Sequence, residues 1–155
     1  MLRLYIPEYS ELWFRSKMLA DPDTMSYNHA WGGTIDWPES CWRDWYTQWV
    51  LCSDGTHYYR YLQNEEGAFV GEIAFHFDEL FKLFLADVIV YAPFRGRGYG
   101  RAGLDILCGA AKAGGLEALY DDIAIDNPSV DMFIKAGFTE EYRTNNFIML
   151  KKTLD

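Results

Sequence analysis

The sequence predicts an α+β fold: a central mixed, mostly antiparallel sheet flanked by about four helices. Short runs of β-branched and aromatic residues, bounded by turn residues, alternate with longer segments that have helical periodicity. Three of the short runs follow one another in mid-chain, which favours antiparallel pairing. A strand, a Gly/Arg-rich turn and a helix come next. Because 155 residues is the length of one typical domain, we expect residues 1–155 to form one.

The first half of the chain is predicted to contain one strand, two helices and a hairpin. Ser10 is a suitable N-cap for a helix that ends before Asp21-Pro22, because the residue before proline avoids the helical region. Asp36, with Pro38 just inside, opens a second helix. The predicted elements are a strand over 2–6, helices over 11–20 and about 38–51, and strands over 57–63, 68–77 and 82–91.

The second half is predicted to hold two helices and three strands. The helix after the Gly/Arg turn runs to about Ala113, where Gly114-Gly115 stops it. Asn127-Pro128 supplies an N-cap with proline at the first helical position, and Gly137 ends that helix. The remaining strands are predicted over 119–125, 138–143 and 147–151.

The charge distribution separates two classes of ligand. Lys and Arg number 14 and Asp and Glu number 23, so the net charge is −9. This charge argues against nucleic acid or an anionic membrane as the main partner and favours cationic small molecules. Between residues 93 and 112 the balance reverses, with Arg95, Arg97, Arg101 and Lys112 against Asp105 alone. That local excess predicts an anion site.

No segment indicates secretion, membrane insertion or metal binding. The N-terminal apolar run is broken by Pro7, Glu8 and Glu11, unlike a signal peptide, and no window approaches the roughly 20 apolar residues of a membrane span. The three cysteines are too few and too widely spaced for a disulfide framework or a zinc site. We therefore expect a cytoplasmic protein without a metal.

The most informative stretch runs from Ala86 to Leu107, where an apolar strand leads through a Gly/Arg turn into a helix. Such a turn directs unpaired backbone N–H groups to one point, where the helix dipole also favours a phosphate. One pattern, G-x-G-x-x-G at Gly98, Gly100 and Gly103, matches a dinucleotide fingerprint. However, the 52 residues after Gly103 are too few for the further βα units of that fold.

The other pattern, R-x-x-G-x-G, begins at Arg95, and here the chain resembles the GNAT superfamily of acetyl-CoA-dependent N-acetyltransferases. The resemblance is carried by V-I-V-Y-A-P-F-R-G-R-G-Y-G, by D-N-P-S from Asp126, and by F-I-K-A-G-F from Phe133 to Phe138. It implies one GNAT-like domain that uses acetyl-CoA to acetylate a primary amine. The acidic charge favours a small cationic amine, and many relatives form homodimers.

The resemblance also implies a donor site. Backbone amides between Gly96 and Arg101 would cradle the pyrophosphate of CoA, and the strand before them would offer an edge to pantetheine. In this family that strand carries a bulge and splays from the next parallel strand. Asn127 would contact pantetheine or only cap its helix. The predicted CoA-binding residues are Val88, Ile89, Val90, Arg95, Gly96, Arg97, Gly98, Tyr99, Gly100, Arg101, Asn127 and Phe133.

Acetyl transfer to an amine needs a base, because the amine is mostly protonated at pH 7. Some family members carry a carboxylate on the strand that here spans 119–125. Alignment from Asn127 selects Asp122 and alignment from Gly137 selects Asp121, so both stay candidates. Glu72 is a third candidate, and Asp87 a further one.

Two features bear on the acceptor and the leaving group. In the family that the chain resembles, the region between the first strand and the second helix usually helps form the acceptor side, and we assign Trp31 and Trp37 to it. Phe133 stands where the family often has a tyrosine that protonates the departing thiolate. Either the reaction tolerates the loss of that phenol, or another one (Tyr91, Tyr99 or Tyr142) replaces it, or the domain is a non-catalytic acyl-CoA-binding sensor.

Overall fold

A computed structural model of the protein describes residues 2–155 and confirms the predicted fold class. The strands join in one seven-stranded sheet, ordered β1-β2-β3-β4-β5-β7-β6, in which only β4 and β5 are parallel. The strands are β1 (Arg3–Tyr5), β2 (His57–Gln63), β3 (Phe69–Asp78), β4 (Leu83–Val90), β5 (Ala118–Ala124), β6 (Thr139–Arg143) and β7 (Phe147–Thr153).

Four α-helices flank the sheet: α1 (Trp13–Ala20), α2 (Trp42–Trp49), α3 (Tyr99–Ala113) and α4 (Val130–Lys135). Short 3₁₀ turns occupy Tyr9–Glu11, Ser26–Trp31, Glu39–Cys41 and Ala92–Phe94. No helix within residues 2–155 is long and apolar enough to span a membrane.

The predicted N-caps Ser10 and Asp36 are wrong, because 3₁₀ turns precede α1 and α2 and delay their starts. The first turn is closed instead by a capping box, in which the Glu11 side chain accepts the N–H of Glu8 at 2.8 Å. The last helix also starts later than predicted, at Val130. Asn127 still shapes its entry, because its Oδ1 accepts the N–H of Ser129 at 2.8 Å.

The two faces of the sheet bury different cores, as the alternation of side chains along strands requires. One face packs against α3 and α4 through aliphatic residues such as Leu104 and Leu107. The other packs against α1 and α2 and is aromatic, with Tyr59 and Tyr61 almost fully buried beside Phe14. The aromatic face also carries the charged side chains of the site described below.

The parallel strands β4 and β5 separate soon after they meet. Their only paired residues are Leu85 and Tyr120, so the edge of β4 beyond Leu85 is open on the β5 side. The predicted splay is therefore present, but the bulge is not: β4 pairs with β3 without a register shift from Gly71↔Val90 to Asp78↔Leu83. Gly71 permits this close pairing, because a Cβ there would collide with the carbonyl oxygen of Ile89.

Candidate functional site

A cavity of about 740 Å³ occupies the splay between β4 and β5. Residues from α1, the 3₁₀ turn Ser26–Trp31, α2, the sheet and the first turn of α3 line it. One part, the glycine end, is formed by Gly96, Gly98 and Gly100 with the first turn of α3. Another part, the carboxylate end, is formed by Glu72, Asp87, Asp121 and Asp122.

The glycine end has the features of an anion site. Gly96 and Gly98 have φ values of +79° and +83°, and a Cβ on either would project into open space. Gly98 is the N-cap of α3, and no side chain caps the helix. The N–H groups of the first turn, which have no partner within a helix, are therefore available to a ligand.

Most of the predicted CoA-binding residues line this cavity, but the arginines differ in what they do. Arg95 does not present its guanidinium to the glycine end, because Nε, Nη1 and Nη2 donate to the carbonyls of Val90 (3.1 Å), Asp23 (3.0 Å) and Thr24 (2.6 Å). It fastens the turn after β4 to the loop after α1. The cavity is lined by Val88, Ile89, Val90, Arg95, Gly96, Gly98, Tyr99, Gly100, Arg101, Asn127 and Phe133.

The other two arginines are closer to the predicted role. Arg101 lies on the first turn of α3 and pairs with Asp105 one turn later, at 3.2 Å. Arg97 is outside the cavity lining; it is exposed, with its guanidinium 5.5 Å from the centre of the Phe94 ring. Because no acidic side chain pairs with Arg97 among residues 2–155, it is the arginine freest to meet an arriving anion.

Glu72, a predicted base, has its side chain paired with two neighbouring residues, Tyr59 and Arg15. Its side chain is only 4 % exposed, and it accepts a short hydrogen bond from the Tyr59 hydroxyl. Arg15 lies 3.4 Å away, with its guanidinium 4.5 Å and 4.4 Å from the ring centres of Trp37 and Trp45. An acid held by a phenol and an arginine has little freedom to take a proton from a substrate.

Asp87 is the carboxyl group best placed to act as a base. Its side chain is 49 % exposed, and its Oδ2 lies 3.7 Å from Nδ1 of His76. Enclosure within the cleft and the nearby carboxylates of Glu72 and Asp122 raise the pKa of Asp87 to about 7, although Arg15 opposes the shift. A base with a pKa near the working pH is well suited to general-base catalysis.

Asp121 and Asp122 both line the cavity, so the two alignments of the sequence identified neighbouring wall residues. Burial raises the pKa of Asp121, and the charges of Asp87 and Asp122 raise it further. Burial likewise raises the pKa of Asp122, with a smaller effect from Asp78. Since the ionised forms of Asp87 and Asp121 repel each other, a cationic ligand between them would be favoured.

The two predicted acceptor tryptophans lie in different places. Trp31 lines the cavity and is 51 % exposed. Trp37 does not line it; its ring stacks on Trp42 at 5.5 Å and covers Arg15. The tryptophans of α2 that do line the cavity are Trp45 and Trp49, stacked on each other at 6.0 Å.

Tyr27 and His76 are among the cavity residues that the sequence reasoning did not identify. A signal existed for His76, because it shares the aromatic face of β3 with Glu72 and Ala74 at alternate positions, and Ala74 pairs with Asp87. Tyr27 lies in a segment without periodicity, so no pattern distinguished it.

Two of three comparisons with known proteins found matches, and both agree with this geometry. The model of the acetyltransferase (GNAT) family matches residues 4–138. A search of curated protein sequences found no match.

Solved structures share the fold at low sequence identity. Spermidine N-acetyltransferase from Vibrio cholerae, in complex with CoA and spermine, has a TM-score of 0.81 and 16 % identity over 99 % of this chain and 95 % of that one. An acetyltransferase from Agrobacterium tumefaciens has a TM-score of 0.75 and 20 % identity, over 97 % of this chain and 89 % of that one. The yncA protein from Salmonella typhimurium, with its cofactor acetyl-CoA, has a TM-score of 0.73 and 16 % identity, over 100 % of this chain and 95 % of that one.

Proposed function

The chain belongs to the GNAT acetyltransferase family, and we propose that it transfers the acetyl group of acetyl-CoA to a primary amine of a small cationic molecule. One observation carries the proposal: the same cavity has a glycine end suited to phosphate and a carboxylate end suited to an ammonium group. Spermidine N-acetyltransferase, a protein that shares this fold, acts on an acceptor of the class proposed here.

The residues at the glycine end fit CoA. Gly96 and Gly98 leave open space where a side chain would stand, and the uncapped first turn of α3 supplies N–H donors for the pyrophosphate. The open edge of Val88, Ile89 and Val90 would hold the pantetheine amides. When bound, acetyl-CoA supplies an acetyl group activated as a thioester.

At the carboxylate end, Asp87 would act as the base. A cationic amine is attracted by the carboxyl groups and by the faces of Trp31, Trp45 and Trp49. Asp87, ionised in a substantial fraction of molecules at pH 7, accepts the proton that the amine must lose before it can attack. Glu72 is then a positioning residue that, with Arg15, holds the aromatic wall.

The test is a panel of amines with acetyl-CoA, in which thiol release is followed. The panel includes spermidine, spermine, an amino sugar, an amino acid and a short peptide with a free N-terminus. We expect turnover with the cationic small molecules and little with the neutral or anionic ones. Tight binding of CoA without turnover on any amine would contradict the enzymatic proposal.

A second function follows from Phe133. This ring is 3 % exposed and packs on Phe138 at 5.1 Å, so α4 presents an apolar wall where the family often has a phenol. A non-catalytic acyl-CoA sensor would need no proton donor there. The amine panel separates the two candidates, because a sensor binds CoA and releases no thiol.

A cytoplasmic location, a homodimer and the absence of nucleic acid or membrane partners stay predictions. They rest on composition and on the family resemblance, and the oligomeric state is measured directly by light scattering.

A further inference from the structure

Acetyl transfer would release a sulfur anion into a cavity that already holds several carboxyl groups. Asp87, Asp121 and Asp122 line it together with Glu72, and each one that is ionised repels a thiolate. A neutral hydrogen-bond donor stabilises such an anion without a further acidic group. The question is which side chain of the cavity can donate.

Most hydroxyl groups of tyrosine are already bonded or lie elsewhere. The tyrosines that line the cavity are Tyr27, Tyr59 and Tyr99. The hydroxyl of Tyr59 donates to Glu72, and Tyr99 is the first residue of α3, at the glycine end. Tyr142 belongs to the edge strand β6, and Tyr91, which packs on Phe14 and Phe94, is not part of the lining.

Tyr27 differs from Tyr59 in having a hydroxyl without a protein partner, and from Tyr99 in packing on the cluster that includes Ala74 and Ile89, at the carboxylate end. Its ring packs on the aromatic core beside α1, and its hydroxyl has no hydrogen-bond partner within residues 2–155. Tyr27 lines the cavity, and its hydroxyl oxygen is not fully enclosed by protein atoms, so it is accessible to a ligand. A partly buried phenol without a protein partner keeps its O–H donor available to a bound ligand.

The surroundings of Tyr27 keep its proton in place. The charged groups that act on it are Glu72 from β3, Asp87 from β4, Asp121 from β5 and Arg95 from the turn after β4. Burial raises the pKa of Tyr27 far above its usual value, the three carboxylates raise it further, and Arg95 opposes them. The phenol is therefore a donor throughout the working pH range.

We infer, on the premise of the proposed function, that Tyr27 is a catalytic residue whose phenol donates a hydrogen bond to the departing sulfur of CoA. The C–N bond forms as the C–S bond breaks, and the sulfur keeps the electron pair of the broken bond. The nitrogen loses two protons in all: Asp87 takes the first from the ammonium before attack and passes it to solvent, and it takes the second from the nitrogen once the C–N bond has formed. Tyr27 holds the sulfur through O–H···S until the proton on Asp87 neutralises it, so that one proton moves from nitrogen to sulfur and nothing is oxidised or reduced.

The first test is activity with matched variants. Tyr27→Phe removes only an unbonded hydroxyl, so it should fold with an unchanged Tm. We expect kcat to fall about 10- to 100-fold. This loss is no larger than that of removing one donor from an oxyanion hole, because a thiolate whose thiol has a pKa of about 8.5 is a good leaving group even without help. The control is Tyr58→Phe, whose ring stacks on Phe75 at 5.1 Å outside the cavity and which should retain wild-type kcat.

The second test needs no turnover. The pKa of the thiol of bound CoA is measured by the ultraviolet absorbance of its thiolate, as a difference from the protein without CoA. A hydrogen bond from Tyr27 lowers this pKa, so in Tyr27→Phe it should lie higher than in the wild type by about one unit. Tyr58→Phe should leave it unchanged.

The outcomes distinguish the two proposals. Equal thiol pKa values in wild type and Tyr27→Phe, with equal kcat, overturn the role of Tyr27 and leave the enzymatic proposal standing. Thiol pKa values that differ as expected, in a protein that acetylates no amine, overturn the enzymatic proposal and support the contact between Tyr27 and sulfur. A wild type that binds no CoA overturns both.

Discussion

The glycine end and the carboxylate end of the cavity differ in how far apart their residues lie in the sequence. The glycine end is local: Gly96, Gly98 and Gly100 lie within five residues, and their backbone geometry gives the proposed anion site its shape. The carboxylate end is assembled from three strands, with Glu72, Asp87 and Asp121 brought together by sheet pairing. The first therefore depends on conformation, and the second on the charges that neighbouring strands impose on one another.

The largest expected effect is at the carboxylate end. Asp87→Asn removes the proposed base while keeping the shape of the side chain, and kcat should fall about 10²- to 10⁴-fold. The affinity for CoA, measured by titration calorimetry, should stay within about twofold, because the glycine end is untouched. Glu79→Gln, an exposed carboxylate paired with Lys82, is the control and should change neither quantity. A large loss of CoA affinity in Asp87→Asn would contradict the division of the cavity.

The glycine end is tested by a charge placed in its cradle. Gly98→Asp introduces a carboxylate at the N-terminus of α3, where the phosphate is expected. We expect the affinity for CoA to fall roughly 10- to 100-fold, or about 1.5–3 kcal/mol. Gly55→Asp is the matched control, because it imposes the same left-handed conformation (φ +82°) in a turn outside the cavity. Equal CoA affinity in the two variants would show that the phosphate site lies elsewhere.

The arginines sharpen the comparison, because two neighbours should lose different properties. Arg95→Ala breaks three hydrogen bonds to backbone carbonyls, so the free energy of unfolding should fall by about 1–3 kcal/mol. Tm should fall with it, by roughly 2–4 °C for each kcal/mol. Arg97→Ala should leave Tm unchanged and weaken CoA binding about 3- to 10-fold, less so at high salt. The opposite pattern would return the phosphate role to Arg95.

A smaller effect links the base to stability. The pKa of Asp87 in the folded protein, about 7, lies above its unfolded value near 3.9. Its contribution to stability is therefore complete below pH 4 and is lost as the pH rises through 7. Asp87→Asn should unfold at a Tm about 2–4 °C above wild type at pH 8, with no gain near pH 4. This gain in Tm corresponds to about 1 kcal/mol in the free energy of unfolding. The gain is smaller than the full pKa shift implies, because half of the Asp87 side chain is exposed and solvent screens its charge.

The fold and the position of the glycine end could be predicted from the sequence because their signals are local. Alternating strands, the Gly/Arg turn and the Asn127-Pro128 pair each act within a few residues, and the predicted strands and glycine end agree with the structure in position. The helix starts failed where 3₁₀ turns, closed by side chains such as Glu11, replaced the first α-helical turn.

The chemistry of the site was harder to predict because it depends on distant partners. Glu72 and Asp87 are both acidic residues on neighbouring strands. Only the structure shows that Tyr59 and Arg15 bind the side chain of Glu72, whereas the side chain of Asp87 stays half exposed in the cavity. The hydrogen bonds of Arg95 could not be predicted for the same reason, since two of its carbonyl partners lie about 70 residues earlier in the chain. Composition and motif spacing carry no information about such partners.

The most direct test of the central claim, that Asp87 is the base of this cavity, is the pH dependence of kcat/KM for the best amine of the panel. In the wild type kcat/KM should rise with pH on an acid limb with an apparent pKa near 7, because only ionised Asp87 accepts the amine proton. In Asp87→Asn that limb should disappear from the residual activity. The same limb in both proteins, or a wild-type limb near pH 4, would contradict the assignment.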